Sequence, residues 1–205
     1  MPSITSDEAI ARQTVSDLFE LIVAQGDADY IGESISQLEH SLQAGELARK
    51  SGADDDTILG ALLHDIGHFI PAAQKMPIMI APDGTNLGYA SHERVGAQYL
   101  RQLGFSEKVV ELVGAHVMAK RYLTAVDKSY YDGLSDASRK SLKFQGGPFT
   151  EEEVEEASRD PFLEGKLAVR KWDDLAKVVD LEVPGLETYK EMAIQNVLSS
   201  LSERS

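Results

Sequence analysis

From Thr57 to Leu63 the chain runs Thr-Ile-Leu-Gly-Ala-Leu-Leu, apolar almost all the way round a helix, which predicts a helix enclosed by others at the centre of a bundle. Its neighbours read as amphipathic helices. Ser6 to Gln25 carries Ile10, Leu18, Leu21 and Ile22 on its apolar face, with Asp7 and Glu8 where the helix dipole favours them and Gly26 at the stop. Ser36-Gln37-Leu38-Glu39 has the spacing of a capping box and predicts a second helix to about Lys50, with Gly45 as a point of close packing and Gly52 just past the end. Asp54-Asp55-Asp56 then opens the apolar helix. Further helices are predicted from Ser91 through Leu100, closed by Gly104, from Ser106 towards His116, and in parts of Lys120 to Phe144 up to the break Gln145-Gly146-Gly147-Pro148. Others follow over Glu151 to Glu156, Leu163 to Lys177, and from Pro184-Gly185 to about Leu201. Phe69 to Tyr89 holds three prolines and two glycines and reads as a long irregular loop, of a length that tends to be functional. No strand-period pattern is convincing, so the expected class is all-α.

Composition narrows what such a bundle does. A chain of 205 residues predicts one domain, large enough to enclose a site. The formal net charge of -14 and a pI near 4.7 argue against nucleic acid and anionic membrane as partners. With no cysteine, any metal must be held by nitrogen and oxygen. Met1 to Glu8 has neither a positive nor an apolar leader region, and no later apolar run approaches bilayer length, so a cytoplasmic location is expected.

The chain has five histidines, His40, His64, His68, His92 and His116, all with apolar helical neighbours. Leu62 to Phe69 sets two imidazoles and a carboxylate inside an apolar run. On a helix, His64 and His68, four residues apart, face one way, while Asp65 stands one step round. Such groups need partners, and a metal ion is the economical one. An isolated His-Asp pair is common by chance and reads as hydrogen-bonded core. The series His40, His64-Asp65, His92, His116 and a late Asp173 changes the balance. Six ligands with a carboxylate able to bridge point to two ions sharing Asp65.

The same order resembles the HD-domain superfamily of helical metalloproteins, most of which are phosphohydrolases. Longer stretches, Tyr30 to Gln43, His116 to Leu123, Leu134 to Lys140 and Gln145 to Pro148, resemble more specifically the organophosphonate-cleaving mixed-valent diiron oxygenases of PhnZ/TmpB type. The resemblance implies an HD-domain helical bundle with a diiron site in its centre. One iron would be held by His40, His64, Asp65 and Asp173, the other by Asp65, His92 and His116. Tyr30 would occupy an iron until substrate displaces it, with Glu33 as its partner in an induced-fit gate. His68, Lys120, Ser138 and Arg170 would grip the phosphonate oxygens, with Gln145 nearby, a task that suits cationic donors. Tyr30, Glu33 and His68 are thus the expected catalytic residues, Fe(II)/Fe(III) the cofactor, O2 the co-substrate, and a small hydroxyphosphonate the partner. The implied reaction inserts oxygen at the hydroxyl-bearing carbon and breaks the carbon-phosphorus bond. It yields a carboxylate and inorganic phosphate, and the substrate supplies all four electrons.

Taken singly, each residue has a plainer reading. Tyr30 reads as a core tyrosine with a satisfied hydroxyl, Glu33 as a surface charge, Lys120 and Arg170 as snorkelling cations, Ser138 as a helix serine and Trp172 as packing. The competing function on the same fold is a divalent-metal phosphohydrolase. His68 and Lys120 serve either reaction, but hydrolysis does not require Tyr30 with Glu33 and a complete two-metal set. A ring-cleaving polyol oxygenase leaves the phosphonate-side residues without a use, and a sensing role gains little from a chain in which no output domain is seen. Relatives of this family divide between substrates ending in a primary ammonium and in a trimethylammonium, giving glycine or glycine betaine. The stretch between His68 and His92 is longer than in the aminophosphonate enzyme and carries Met76, Met79, Asn86 and Tyr89 towards the second iron. A roomier apolar pocket suits a quaternary ammonium, which cannot donate hydrogen bonds. The expected substrate is therefore (R)-1-hydroxy-2-(trimethylammonio)ethylphosphonate, with 2-amino-1-hydroxyethylphosphonate as the alternative.

Overall fold

The computed structural model describes residues 6–30 and 34–204, so Glu33 of the expected gate lies outside the described residues. The chain opens with α1 (Ser6–Gln25) and α2 (Gln37–Lys50), then buries α3 (Asp55–Leu63). The capping box forms as its spacing predicts: Ser36 Oγ accepts from the Glu39 N–H at 3.1 Å, and the Glu39 carboxylate accepts from the Ser36 N–H at 2.6 Å. Asp54 caps α3, and every residue from Thr57 to Leu63 is buried. A ribbon of β1 (Ile78–Ile80) and β2 (Asn86–Tyr89) follows, then α4 (His92–Leu103), α5 (Glu107–Val113) and α6 (His116–Val126). The shorter α7 (Lys128–Gly133), α8 (Asp136–Phe144) and α9 (Glu151–Ala157) lead to α10 (Leu163–Leu175) and α11 (Lys190–Arg204).

α3 is the axis of the bundle, packed by α2, α5, α10 and α11. Its neighbours come close because glycine faces them. A Cβ on Gly60 would lie 2.8 Å from Leu112 Cβ, inside van der Waals contact. The outer layer is α1 against α11, while α10 crosses α6 and α2. Among the described residues no helix is long and apolar enough to cross a membrane.

Three expectations change. The stretch from Phe69 to Tyr89 is not irregular throughout, since β1 and β2 pair antiparallel inside it, Ile78 opposite Tyr89. The ribbon buries Met79, Ala81 and Leu87 in a small cluster of their own while Ile78 and Ile80 stay exposed. An alternation of three residues is too short to register as a strand period. The helix carrying the His-Asp pair stops earlier than expected. His64 is its C-cap, Asp65 leaves the helical region at φ -98° and ψ 12°, and Ile66–His68 forms a 3-10 turn, so His64 and His68 do not share a helical face. The turn lays Gly67 against the backbone carbonyl of His92, which a Cβ would approach to 2.0 Å. Finally, α5 ends at Val113 and α6 restarts at His116, so that His116 begins a helix.

Candidate metal centre

Six of the expected ligands converge in the interior. His40 comes from within α2 and Asp173 from the last turn of α10, whereas His64, His92 and His116 stand at the end of α3 and the starts of α4 and α6. All six are buried. His92 follows Ser91, a non-glycine residue in the left-handed region at φ 60°, a conformation that carries strain of order 1 kcal/mol and recurs at functional sites.

The six fall into two clusters joined by one carboxylate. In the first, His40 Nε2 and His64 Nε2 are 3.0 Å apart, and Asp65 Oδ2 lies 3.7 and 3.5 Å from them. Asp173 Oδ1 closes this cluster at 3.5 and 3.9 Å. In the second, His92 Nε2 and His116 Nε2 are 2.9 Å apart, with Asp65 Oδ1 at 3.3 and 3.5 Å. Each oxygen of Asp65 thus faces a different pair of imidazoles.

The outer ring nitrogens decide what the inner ones offer. His64, His92 and His116 donate Nδ1–H to the carbonyls three residues upstream, those of Ala61, Tyr89 and Val113, and His40 donates to Ala176 O. A carbonyl only accepts, so the proton sits on Nδ1, and in the neutral ring Nε2 is left as a lone pair. With all four rings neutral, four lone pairs and three carboxylate oxygens face one another in the interior. That donor set is complementary to cations, and its nitrogen and carboxylate chemistry suits iron, manganese or zinc. Electrostatics point the same way. Burial opposes a charge on His64, yet Asp65 and Asp173 outweigh it and raise its pKa to about 9. Burial likewise opposes charge on Asp65 and Asp173, but His64 holds the first carboxyl and Arg170 the second well below the usual range. His116, beside His92, is driven well below its ordinary value by burial and that neighbour.

Beside the clusters lies a cleft of about 70 Å³, lined by Tyr30, Asp65, His68, His92, His116 and Asp173, by Lys120, Ser138, Gln145 and Arg170, and by the apolar Leu87, Val117 and Ala137. Every expected site residue among the described ones is therefore in one place. Tyr30 stacks on His40 at 3.8 Å between ring centroids and donates its hydroxyl to Asp173 Oδ1 at 3.3 Å. Burial, then Asp173 and Asp65, raise its pKa well above 10, so it stays a phenol. His68 stacks on His92 at 4.0 Å and is pushed down to about 3 by burial and His92, which keeps it neutral. With Asp65 and His92 it forms a second possible metal-holding group, so His68 is placed to serve as ligand or as substrate contact. Lys120 donates to Ser141 Oγ at 2.8 Å and is lowered to about 7 by burial and Arg170. Gln145 Oε1 is buried without a partner, a group a ligand could satisfy. Arg170 is less free than expected: it donates to Asp173 Oδ2 at 2.6 Å, to Asp174 and to the Tyr130 hydroxyl.

Several participants had gone unnamed. The Arg170-x-x-Asp173-Asp174 spacing, three and four residues along a helix, carried the signal for the first pairing. Lys177 and Ser141 also line the cleft, and Gly67 sits against His92, but nothing local in the sequence marks them. The excursion meets the site at two points. Only Leu87 of the ribbon reaches the cleft, while Tyr89 contributes its carbonyl to His92, and Met76 lines a groove elsewhere.

A helical bundle enclosing paired His/Asp clusters able to hold metal is the architecture of an HD domain. The family model for the HD domain matches residues 38–176. The hydroxymethylphosphonate dioxygenase of Gimesia maris is 44% identical over 178 residues, covering 86% of this chain and 85% of that one. The glycine-betaine-forming 1-hydroxy-2-(trimethylamino)ethylphosphonate dioxygenase of Leisingera caerulea is 42% identical over 160 residues, 78% of each chain. An uncharacterized protein of Acanthamoeba polyphaga mimivirus is 36% identical over 188 residues, 92% of this chain and 84% of its own length. The chain belongs to the HD-domain family, and within it to the oxygenases of PhnZ/TmpB type.

Gly67→Ala tests how the second cluster is held. Its Cβ would collide with the His92 carbonyl, and we expect His92 to shift and metal affinity at this cluster to fall about 10–100-fold, as for loss of an outer-shell support. Metal per chain after dialysis measures it. Full retention would mean that the Gly67 contact does not set His92.

Proposed function

We propose that the protein is an O2-dependent, cytoplasmic dioxygenase that cleaves the carbon-phosphorus bond of a small 1-hydroxyphosphonate at a diiron centre. The observation that carries the reading is the lining of one cleft, which brings imidazoles and carboxylates, Asp65, His68, His92, His116 and Asp173, together with Lys120, Ser138, Gln145 and Arg170. Hydrolysis of a phosphate ester also needs a grip on phosphoryl oxygens, so Lys120 and His68 suit either reaction; what hydrolysis does not require is Tyr30 at the ligand cluster, stacked on His40 and bonded to Asp173. The names of the two dioxygenase relatives add support.

Iron held by His40, His64, Asp65 and Asp173, and by Asp65, His92 and His116, would supply oxygen activation and electron exchange. The remaining steps belong to the chain. Lys120 and Arg170 offer charge to the phosphonate, and Ser138, Gln145 and neutral His68 offer polar contacts, so the phosphorus end is fixed while the hydroxyl-bearing carbon turns to the ligands. Leu87, Val117 and Ala137 give the cleft its apolar lining. The Tyr30 hydroxyl, on Asp173, stands where a substrate hydroxyl would enter, so binding requires it to move aside. Asp65 ties the two ligand sets together.

Size bears on the substrate. With Tyr30 in place the cleft measures about 70 Å³, a size that suits a compact molecule such as hydroxymethylphosphonate. The excursion lines a second pocket of about 280 Å³ that shares His68, with Ile78, Asn86, Gly88 and Tyr89 in its wall. The quaternary substrate remains a second reading on one observation: Lys177 Nζ lies 5.8 Å from the Tyr30 ring centroid, a face that holds a cation, and displacing Tyr30 would enlarge the cleft.

Two measurements test the reading. The iron-loaded protein, given each 1-hydroxyphosphonate in turn, should consume one O2 for each phosphate released, and phosphate released from esters without oxygen use would make it a hydrolase. The second concerns charge. Lys120 binds anions as the ammonium, and with its pKa lowered to about 7 that form is lost as pH rises. The Kd for sulfate, whose own charge is constant in this range, should weaken by up to about tenfold per pH unit above that value, and Lys120→Arg should flatten the profile. An unchanged slope in Lys120→Arg would remove Lys120 from anion binding.

A further inference from the structure

Three of the four clustered imidazoles orient themselves locally, each through the carbonyl three residues upstream. His40 does not. Its Nδ1 partner, Ala176 O, lies 136 residues away, just beyond the end of α10, and the bond is 2.8 Å. What fixes that carbonyl therefore fixes His40. At Ala176 the chain turns at φ -80° and ψ 50°, with the Lys177 N–H donating to Leu175 O at 2.9 Å, the form of an inverse γ-turn. The segment that follows, 178–184, forms no helix or strand.

One side chain grips it. Gln43 Nε2 donates to Val178 O at 2.7 Å, and Gln43 Oε1 accepts from the Val178 N–H at 3.0 Å. Gln43 is only 2% exposed and lies three residues after His40, on the same face of α2. A primary amide in the core is costly unless both ends are satisfied, and here a single backbone residue satisfies both. An apolar side chain would cover the strap equally well. What the amide adds is direction and register.

We propose that Gln43 is a positioning residue of the metal centre. By clamping both backbone groups of Val178 it sets the turn at Ala176, whose carbonyl holds His40 with Nε2 inward, and it places Lys177 between them at the cleft beside Tyr30. Gln43 thus ties α2, which carries His40, to the end of α10, which carries Asp173. The inference stands on the metal centre and not on the phosphonate reading, so loss of the substrate assignment would leave it intact.

The test compares Gln43→Met, close in size and without the clamp, with Val15→Ala, a fully buried truncation in α1 away from the site. Metal affinity is read by competition with a chelator, and the Val178 amide by hydrogen exchange, with thermal stability recorded for both variants. We expect Gln43→Met to lose about 10–100-fold in affinity with faster Val178 exchange, and Val15→Ala to keep wild-type affinity at a similar loss of stability. Gln43→Glu retains the acceptor and loses the donor, and takes the place of Gln43→Met if that variant does not fold. Wild-type affinity in the Gln43 variant, or an equal loss in Val15→Ala, would overturn the proposal.

Discussion

The centre of this protein turns four imidazole Nε2 atoms and two carboxylates on one another in its interior, where neutral rings would set lone pair against lone pair. Burial removes the water that would otherwise screen them, so the arrangement requires positive charge between its members. Much of the structure serves that requirement. Backbone carbonyls hold the four Nδ1 protons and so leave the Nε2 atoms inward, and Asp65 divides its two oxygens between the two pairs.

The second constraint is the balance of charge around the cleft. The chain is strongly acidic, with a formal net charge of -14, yet Lys120, Arg170 and Lys177 line the cleft. Arg170 also serves the ligand set. It neutralises Asp173 on the ligand side through Nη1 and anchors on Asp174 and Tyr130, which leaves its remaining N–H groups for the cleft. Burial keeps Lys120 close to losing its proton, so this cation is strengthened by an anionic ligand and weak without one.

The sequence was most informative where a local rule operates. The capping box at Ser36, the all-round apolar run of α3 and the glycine stops of α1 and α4 gave helix positions to within a few residues. The spacing of histidines and aspartates picked out the six convergent groups. It was least informative where geometry depends on distant chain. The helix ends at Leu63 before a 3-10 turn that packs Gly67 against His92 from a later part of the chain, and the ribbon is too short to show a period. Gln43 reads as an unremarkable polar residue until Val178, 135 residues away, lies beside it. The sequence reading set the His-Asp pair at the end of its helix and His92 at the opening of the next, but not why ligands gather there. Three of the imidazoles stand at helix ends, where a carbonyl is open to their Nδ1–H.

The central claim is that one carboxylate joins two metal sites. Anaerobic loading with iron, followed by metal analysis with Mössbauer and EPR spectroscopy, tests it most directly. The account predicts two irons per chain, magnetically coupled, with the coupling abolished in Asp65→Ala. One iron per chain, or two that do not couple, would contradict it.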